Sequence, residues 1–259
     1  MGVIAATALL LAAQGAGSEA TPAGAWRVDD VEGECALVRS YRGPGGKIDL
    51  GMKPDVEGGG AELALATAGA HEGRVRTGRS RVTLDPGATG YAATWTSFPS
   101  LDGRLRGARV AVGPGFWPAL AGATAISVDA GAGDRARLTL GPMAKPLEAF
   151  ERCRAERLRG WGADPAALVR PASAEQAAGW FTTYPKAAWK DGAQGRTLML
   201  LEVGRDGAPI ACRTVRSAGD PRLDADTCAQ AMRRARFAAG AEPKRYAVVP
   251  KRWSLRSGF

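Results

Sequence analysis

The chain has 259 residues, of which 45% are hydrophobic and 24% are charged, and this composition argues against a disordered chain and against a multi-span membrane protein. The formal net charge is +9, and the part from residue 171 onward carries 15 basic and 8 acidic residues. That excess indicates either an acidic partner or a solvated basic surface. Because no basic run is interleaved with aromatic residues, nucleic acid is not an expected partner.

The first 20 residues are typical of a secretory signal peptide. Residues 3–13 are apolar except for Thr7, and small residues precede Thr21 as a cleavage site would require. The segment before this run lacks Lys and Arg, so a misplaced start codon stays an open alternative, as does an uncleaved inner-membrane anchor. A helix over residues 1–17 would reach about 25 Å, which is short of a bilayer core of about 30 Å. We therefore expect an exported protein without an integral membrane span.

The first half of the chain predicts an antiparallel β-rich domain. Short alternating or apolar runs recur between clusters of Gly, Pro and Asp, a pattern typical of a sandwich or a closed sheet. Residues 116–122 are expected to add one short helix. The runs cover residues 25–31, 34–41, 47–52, 61–68, 80–85, 108–113, 124–130 and 136–141.

The hydrophobic period changes to three or four over residues 146–162, which predicts an amphipathic helix. Phe150 and Leu158 belong to its apolar face. Cys153 lies close to that face, and we expect it to form a disulfide bond with Cys35 on an early strand. The helix would then be clamped onto the sheet.

Four cysteines occur in the chain, Cys35, Cys153, Cys212 and Cys228, and none forms a CxxC pair. With His71 as the single histidine they give no plausible zinc site, and we expect neither a metal nor a cofactor. An even number of cysteines in an exported chain indicates two disulfide bonds, for which four cysteines allow three connectivities.

Residues 163–179 are the one plausible linker, and the Ser173 to Gln176 spacing within them resembles a helix capping box. Beyond it, Asp206-Gly207 is a strong signal for a two-residue hairpin turn between strands. The expected C-terminal elements are a short helix or turn at 184–192, strands at 196–203 and 210–217, a helix from about Asp224 to Arg236 and a strand at 244–255. The expected segments are a signal peptide at 1–20, a β-rich domain of unknown role at 21–162, the linker at 163–179 and a C-terminal domain at 180–259.

The C-terminal part contains an ordered series of motifs, namely Tyr184-Pro185, Asp206-Gly207, Ser217-x-Gly219, Leu223-Asp224 and Arg236-Phe237. Their order resembles the C-terminal domain of TonB-type energy transducers. The resemblance covers about residues 180–257 and implies a small α+β fold, in which a three-stranded antiparallel sheet packs on a helix. The expected fold class of the whole chain is therefore α+β with two domains.

Cys212 and Cys228 would face each other in this fold, because one lies on the second strand and the other on the inward face of the helix. A bond between them would close a 17-residue loop, which is worth about 3 kcal/mol in the chain-entropy model. The cysteine in the helix is thus expected to be a structural bridge rather than a nucleophile.

The resemblance also implies a protein partner. TonB-type domains bind outer-membrane receptors in the Gram-negative periplasm, where an extended receptor segment adds a strand to their sheet. We expect the last strand to be the binding edge, with Arg245, Lys251 and Arg252 steering an acidic segment. The candidate partner-binding residues are Arg245, Ala247, Val249, Lys251, Arg252 and Trp253. The expected function is binding of an outer-membrane receptor or another envelope protein, with a link to TonB-type transmembrane transport.

Two departures from the family weaken energy transduction as an expectation. The N-terminal apolar segment is short, and a β-rich domain stands where family members have a long Pro-rich spacer. Pro250 also removes a donor from the last strand, and Pro and Lys on edge strands commonly prevent unwanted pairing. The alternative is a structural role, in which the domain packs only on the N-terminal domain or on a second copy as a homodimer.

An envelope hydrolase is the third alternative, and we do not expect an enzyme. The chain has no G-x-S-x-G motif, and His71 lies in a turn-like loop. Hydrolysis by paired carboxylates would need acids in a cleft. The candidate pairs are Glu32 with Glu34, Asp29 with Asp30 and Asp129 with Asp134, all at turn-like positions.

Overall fold

The computed structural model describes residues 18–55, 59–69, 74–99, 105–129 and 135–255. The fold is α+β, with a large N-terminal β-rich domain and a C-terminal three-stranded antiparallel sheet packed on a helix, which confirms the expected fold class.

The N-terminal domain is built on one ten-stranded sheet. Its strands lie in the order β1-β10-β9-β6-β7-β8-β5-β4-β3-β2. Their bounds are β1 (Ser18–Pro22), β2 (Arg27–Val31), β3 (Glu34–Gly43), β4 (Gly46–Pro54), β5 (Ala61–Ala68), β6 (Arg76–Asp85), β7 (Thr89–Pro99), β8 (Leu105–Val112), β9 (Ala125–Asp129) and β10 (Arg135–Thr139).

The sheet closes on itself through β1. This strand pairs in parallel with β10 and antiparallel with the end of β3, whose first half pairs with β2 along the same edge. Because alternate side chains point to opposite faces, one face of each strand fills the interior. Leu37, Leu63, Val110, Ile126 and Leu138 are fully buried there.

Two strands were not predicted from the sequence. β7 contains no Val, Ile or Leu, so it lacks the aliphatic alternation that marked the other strands. β1 lies in the stretch that the signal-peptide interpretation occupied, and its Ala20 is fully buried in the core.

Two helices complete the N-terminal domain. α1 (Phe116–Ala119) runs into a 3₁₀ turn, and α2 (Ala144–Gly160) lies across β2 and β3 with Phe150 and Leu158 buried. A disulfide bond joins Cys35 of β3 to Cys153 of α2. The helix is therefore fastened to the strand that it covers.

The C-terminal sheet has the order β12-β11-β13, and its second disulfide bond joins Cys212 of β12 to Cys228 of α5. The side chains of Met199, Leu201 and Val249 pack on the α5 side of the sheet. The elements of this part are a 3₁₀ turn (Pro165–Ala167), α3 (Ala174–Gly179), α4 (Lys186–Lys190), β11 (Gly195–Val203), β12 (Pro209–Arg216), α5 (Pro221–Arg234) and β13 (Arg245–Trp253).

The expected start of the last helix at Asp224 was wrong by three residues. Pro221 occupies the first helical position, and the Asp220 side chain caps the helix by accepting a hydrogen bond from the backbone N–H of Arg222. Asp224 lies in the first turn, where its carboxylate accepts a 2.8 Å hydrogen bond from the Thr197 hydroxyl. It therefore ties the helix to β11.

The position of β1 predicts where an exported form of the chain begins. Cleavage after Ala20 would remove Ser18, Glu19 and Ala20, the residues that pair with β10. We expect the mature N-terminus at Ser18 or earlier, since Gly15 and Gly17 also provide a small-x-small site. N-terminal sequencing of the exported protein checks this expectation, and a mature protein that starts at Thr21 would contradict it.

Candidate functional site

The outer edge of β13 is the candidate site. β13 pairs with β11 along its whole length through one edge. On the other edge, the backbone N–H of Val169 donates a 2.7 Å hydrogen bond to the carbonyl oxygen of Tyr246. Because backbone polar groups alternate between the two edges of a strand, Val248, Pro250 and Arg252 also direct theirs outward.

The segment before α3 covers only the first part of this edge. Leu168 bridges to Tyr246 in parallel. Among the residues that the structure describes, no other backbone group pairs with the outward groups of Val248, Pro250 and Arg252. Pro250 lacks its N–H at an outward position, so it costs the β11 ladder no hydrogen bond. The edge thus offers the N–H groups of Val248 and Arg252 and three carbonyl oxygens.

Three of the predicted partner-binding side chains lie inside the domain. Ala247, Val249 and Trp253 are buried on the α5 side of the sheet. The indole N–H of Trp253 donates a 3.0 Å hydrogen bond to the hydroxyl of Thr227. These side chains stabilise the sheet on its helix and are not available to a partner.

Two of the three predicted steering cations have partners within the protein. The Arg245 guanidinium is buried and donates to the carbonyl oxygens of Ala238 and Gly204, at 2.8 and 2.7 Å. Arg252 forms a 2.7 Å ion pair with Glu32 of the N-terminal domain. Neither cation is free to attract an acidic segment without losing these contacts.

Lys251 is the third cation, and it differs from the other two. Its ammonium lies 5.5 Å from the ring centroid of Phe181 and 4.8 Å from that of Trp253. Burial lowers the pKa of Lys251, and no described carboxylate lies within ion-pair distance of it. A carboxylate supplied from outside would therefore find an unneutralised charge beside the β13 edge.

The opposite face of the C-terminal sheet packs on the N-terminal domain. Leu200, Tyr246 and Val248 form an apolar cluster with Leu158 and Trp161 of the α2 segment. The sheet is thus covered by α5 on one face and by α2 on the other, which leaves its edges as the exposed parts.

An acidic turn, defined as Asp30, Glu32 and Glu34, meets the same face. Glu32 and Gly33 join β2 to β3 with φ values of 54° and 86°, the left-handed conformations of a two-residue hairpin turn. A Cβ on Gly33 would lie 2.7 Å from Cδ of Arg216, so a larger residue there would also displace the Arg216 side chain.

Arg196 of β11 is the central partner of the acidic turn. Its side chain is 6% exposed and bonds to the carboxylate of Glu34, while its Nε lies 3.5 Å from Oε2 of Glu32. Lys53, with a side chain 10% exposed, bonds to the same Glu34 carboxylate. Removing Glu34, which both buried cations share, would leave an uncompensated charge, and this typically costs about 3–5 kcal/mol.

The remaining contacts of the acidic turn extend the ion-pair cluster. Arg109 lies 3.3 Å from Glu32, and Asp30 bonds to Arg157 and lies 3.8 Å from Arg216. Asp30, Glu32 and Glu34, which were candidates for a hydrolytic carboxylate pair, are thus all paired with cations.

The other proposed carboxylates give no catalytic arrangement among the described residues. Asp29 pairs with Arg27 at 3.4 Å, and Asp129 pairs with Arg135 at 2.8 Å. Asp134 and His71 lie outside the described residues. In the described segments, no group of three or more His, Cys, Asp or Glu side chains is arranged to hold a metal ion.

A cleft of about 850 Å³, including its open mouth, lies between the two domains. It is bounded by α2, the acidic turn, the segment before α3 and the outer side of β13. Its apolar lining residues are Cys35, Pro54, Phe150, Leu158, Trp161, Leu168, Val169, Val248 and Pro250, and its charged ones are Glu34, Lys53, Asp55, Glu62, Arg154, Arg157, Arg170 and Arg196.

Comparison with known families identifies the C-terminal part. Residues 182–255 match the family model described as the Gram-negative bacterial TonB protein C-terminal. These residues form a TonB C-terminal domain. The match spans less than a third of the 259-residue chain and excludes the whole ten-stranded sheet. Neither the curated proteins nor the solved structures gave a match to the chain.

The TonB C-terminal domain is a protein-interaction domain of the cell envelope rather than a catalytic one, and this supports an envelope protein with a protein partner. Within the described segments, every helix is too short or too polar to span a membrane.

The ion pairs that hold the TonB C-terminal domain on the N-terminal domain were not predicted from the sequence. The partners Arg196 and Glu34 are 162 residues apart, and Arg252 and Glu32 are 220 residues apart. The available signal was the alternation of three carboxylates across a Glu32-Gly33 turn, which places a concentrated negative charge at one tip of the sheet.

The acidic turn predicts an acid-sensitive domain contact. Burial raises the pKa of Glu32, but the hydrogen bond from Arg252 and the charges of Arg252, Arg109 and Arg196 outweigh it, so the pKa lies below its usual 4.5. A carboxyl with a depressed folded-state pKa stabilises the fold above its unfolded pKa and loses that contribution as the pH falls through the folded value.

We expect Glu32→Gln to lower the free energy of unfolding by about 1–3 kcal/mol at pH 7 and by much less at pH 3. Urea unfolding at both pH values measures the difference. Asp29→Asn is the control, because its pair with Arg27 is exposed and is expected to contribute at most about 1 kcal/mol. An equal loss for Glu32→Gln at both pH values would contradict the expectation.

Proposed function

We propose that the protein binds an extended segment of another envelope protein, which adds as a fourth strand to the β13 edge of the TonB C-terminal domain. The observation that carries this proposal is the outer edge over residues 248–252, where backbone groups are unpaired among the described residues. In strand addition the backbone supplies much of the affinity, so the partner needs an extended conformation more than a particular sequence.

The proposed location is the periplasm, reached by export. Two disulfide bonds support an oxidising compartment, because such bonds rarely persist in the cytosol. The partner would be an outer-membrane receptor or another envelope protein, and the activity would be non-enzymatic binding linked to TonB-type transmembrane transport. The family match supports the class of partner but does not name it.

A second candidate function is a structural one, and the domain interface favours it. The TonB C-terminal domain is held by the Arg196 ion pairs and by the apolar contacts of Tyr246 with α2, as a scaffold module would be. These contacts use a face of the sheet and leave the β13 edge uncovered beyond Tyr246. The same packing therefore serves a scaffold or presents the edge to a partner, and only binding data separate the two functions.

The β12 strand offers a matched control for testing the edge. Arg213 pairs with Leu200, whose polar groups point away from β13, so the next residue, Thr214, directs its N–H outward from β12. Val248→Pro and Thr214→Pro thus each remove one outward donor from opposite edges of the same sheet and spare the ladders to β11.

We expect Val248→Pro to weaken partner capture about tenfold, the effect of losing roughly 1.4 kcal/mol, while Thr214→Pro leaves capture unchanged. The measurement is capture from detergent-solubilised envelopes on the immobilised full chain, with quantitative mass spectrometry of the retained proteins. Thermal unfolding of both variants verifies that they fold. Capture that Val248→Pro does not reduce, or that Thr214→Pro abolishes instead, would refute strand addition at β13.

A further inference from the structure

The interdomain cleft opens along the stretch of β13 whose outer edge is unpaired. Val248 and Pro250 form the β13 wall of the cleft, and Phe150, Leu158 and Trp161 of the α2 segment also line it. A strand added to β13 would therefore run beside the cleft over these residues. The cleft is made by both domains, so it is a feature of this chain and not of the TonB C-terminal domain alone.

The two faces of an added strand would meet different surroundings. Successive side chains of a strand point to opposite faces. On β13, Val248 and Pro250 lie on the cleft face, and Lys251 lies on the α5 face near Phe181. An added strand extends both faces of the sheet, so one set of its side chains enters the cleft and the neighbouring residues lie beside Lys251.

The chemistry of each face selects a residue type. The cleft is walled by Phe150, Leu158 and Trp161, so a large apolar side chain would bury apolar surface there. On the α5 face, the Lys251 ammonium is half-buried against aromatic rings and has no described carboxylate partner. A carboxylate beside it would neutralise a charge that the protein leaves uncompensated.

We propose that the interdomain cleft is the specificity pocket for the segment that adds to β13. The bound segment carries a large apolar residue, which enters the cleft, directly next in sequence to an acidic residue, which pairs with Lys251. This inference rests on the proposed function, because it requires strand addition at β13. It adds to that function a recognition motif, two neighbouring residues of opposite character that point to opposite faces.

Photo-crosslinking of the full chain in its own cells tests both strand addition at β13 and the pocket in the cleft. A benzophenone amino acid at Phe181 probes the α5 face of the edge, and the same residue at Leu168 probes the cleft. We expect both positions to crosslink to one short segment of one envelope protein, at sites that differ by a few residues. That segment should contain an acidic residue next to a large apolar one.

The crosslinked segment is then synthesised as a fluorescent peptide, and its affinity for the full chain is measured to test the two contacts. Replacing its apolar residue with Ala, or its acidic residue with Lys, should each weaken binding to the full chain at least about tenfold. Lys251→Glu should restore binding of the Lys-substituted peptide. Val248→Trp fills the cleft and keeps the backbone N–H, so it should weaken binding of the native peptide. Thr214→Trp on the other edge should leave that binding unchanged.

The possible results separate the two proposals. Crosslinks from Phe181 without any from Leu168 would refute the pocket and leave strand addition intact. No crosslink from either position would refute both. Crosslinks from Leu168 to residues 1–17 or to a second copy of this chain would mean that the protein fills its own cleft, which overturns the inference. A bound segment without the acidic and apolar pair would overturn it as well.

Discussion

The buried guanidinium of Arg196 is the constraint on which the arrangement of the two domains depends. A charge buried on a sheet face must be paired, because an uncompensated buried charge costs several kcal/mol. Its partners, Glu32 and Glu34, lie on a turn of the other domain. The TonB C-terminal domain therefore cannot leave the N-terminal domain without breaking the ion pairs of Arg196 with Glu32 and Glu34. The pairing fixes the orientation of the sheet, and thereby which strand edge stays uncovered.

The acidic turn can pair with Arg196 because of the conformation of its backbone. Two consecutive left-handed residues, Glu32 and Gly33, reverse the chain in the smallest possible space and bring three carboxylates to one tip. Gly33 also allows Arg216 to pass close by. The disulfide bond between Cys35 and Cys153 holds the strand that carries Glu34 against α2, whose Arg157 bonds to Asp30. The turn, the helix and the sheet face thus support one another.

This arrangement differs from a TonB domain at the end of a long spacer. Here the segment before the domain lies against its own sheet, where Leu168 and Val169 contact Tyr246. The N-terminal domain thereby adds a wall to the binding edge. A partner segment would meet a composite surface in which the TonB C-terminal domain supplies backbone hydrogen bonds and the N-terminal domain supplies a pocket. Under this proposal the role of the N-terminal domain is to make a generic strand edge selective.

The sequence predicted those parts of the fold that local patterns encode. The alternating strands, the amphipathic α2 and the ordered C-terminal motifs all carry periodicity or turn chemistry. β7 carries neither, because Thr, Ala, Ser and aromatic residues replace the aliphatic ones. At the site, the last strand was predicted as the edge, but the residues chosen on it included the inward-facing Ala247, Val249 and Trp253. The sequence of a single strand shows which residues share a face, but it does not show which face is covered. Contacts between residues more than 150 positions apart leave no local pattern in the sequence.

Residue-resolved amide hydrogen exchange of the free full chain tests the central claim most directly, because it needs no knowledge of the partner. The account predicts slow exchange for Ala247, Val249 and Lys251, whose N–H groups bond to β11, and fast exchange for Val248 and Arg252, whose N–H groups point outward. Equal protection of all five amides would mean that the β13 edge is already covered. The protein would then have no free edge for a partner strand, and the structural role would be the better account.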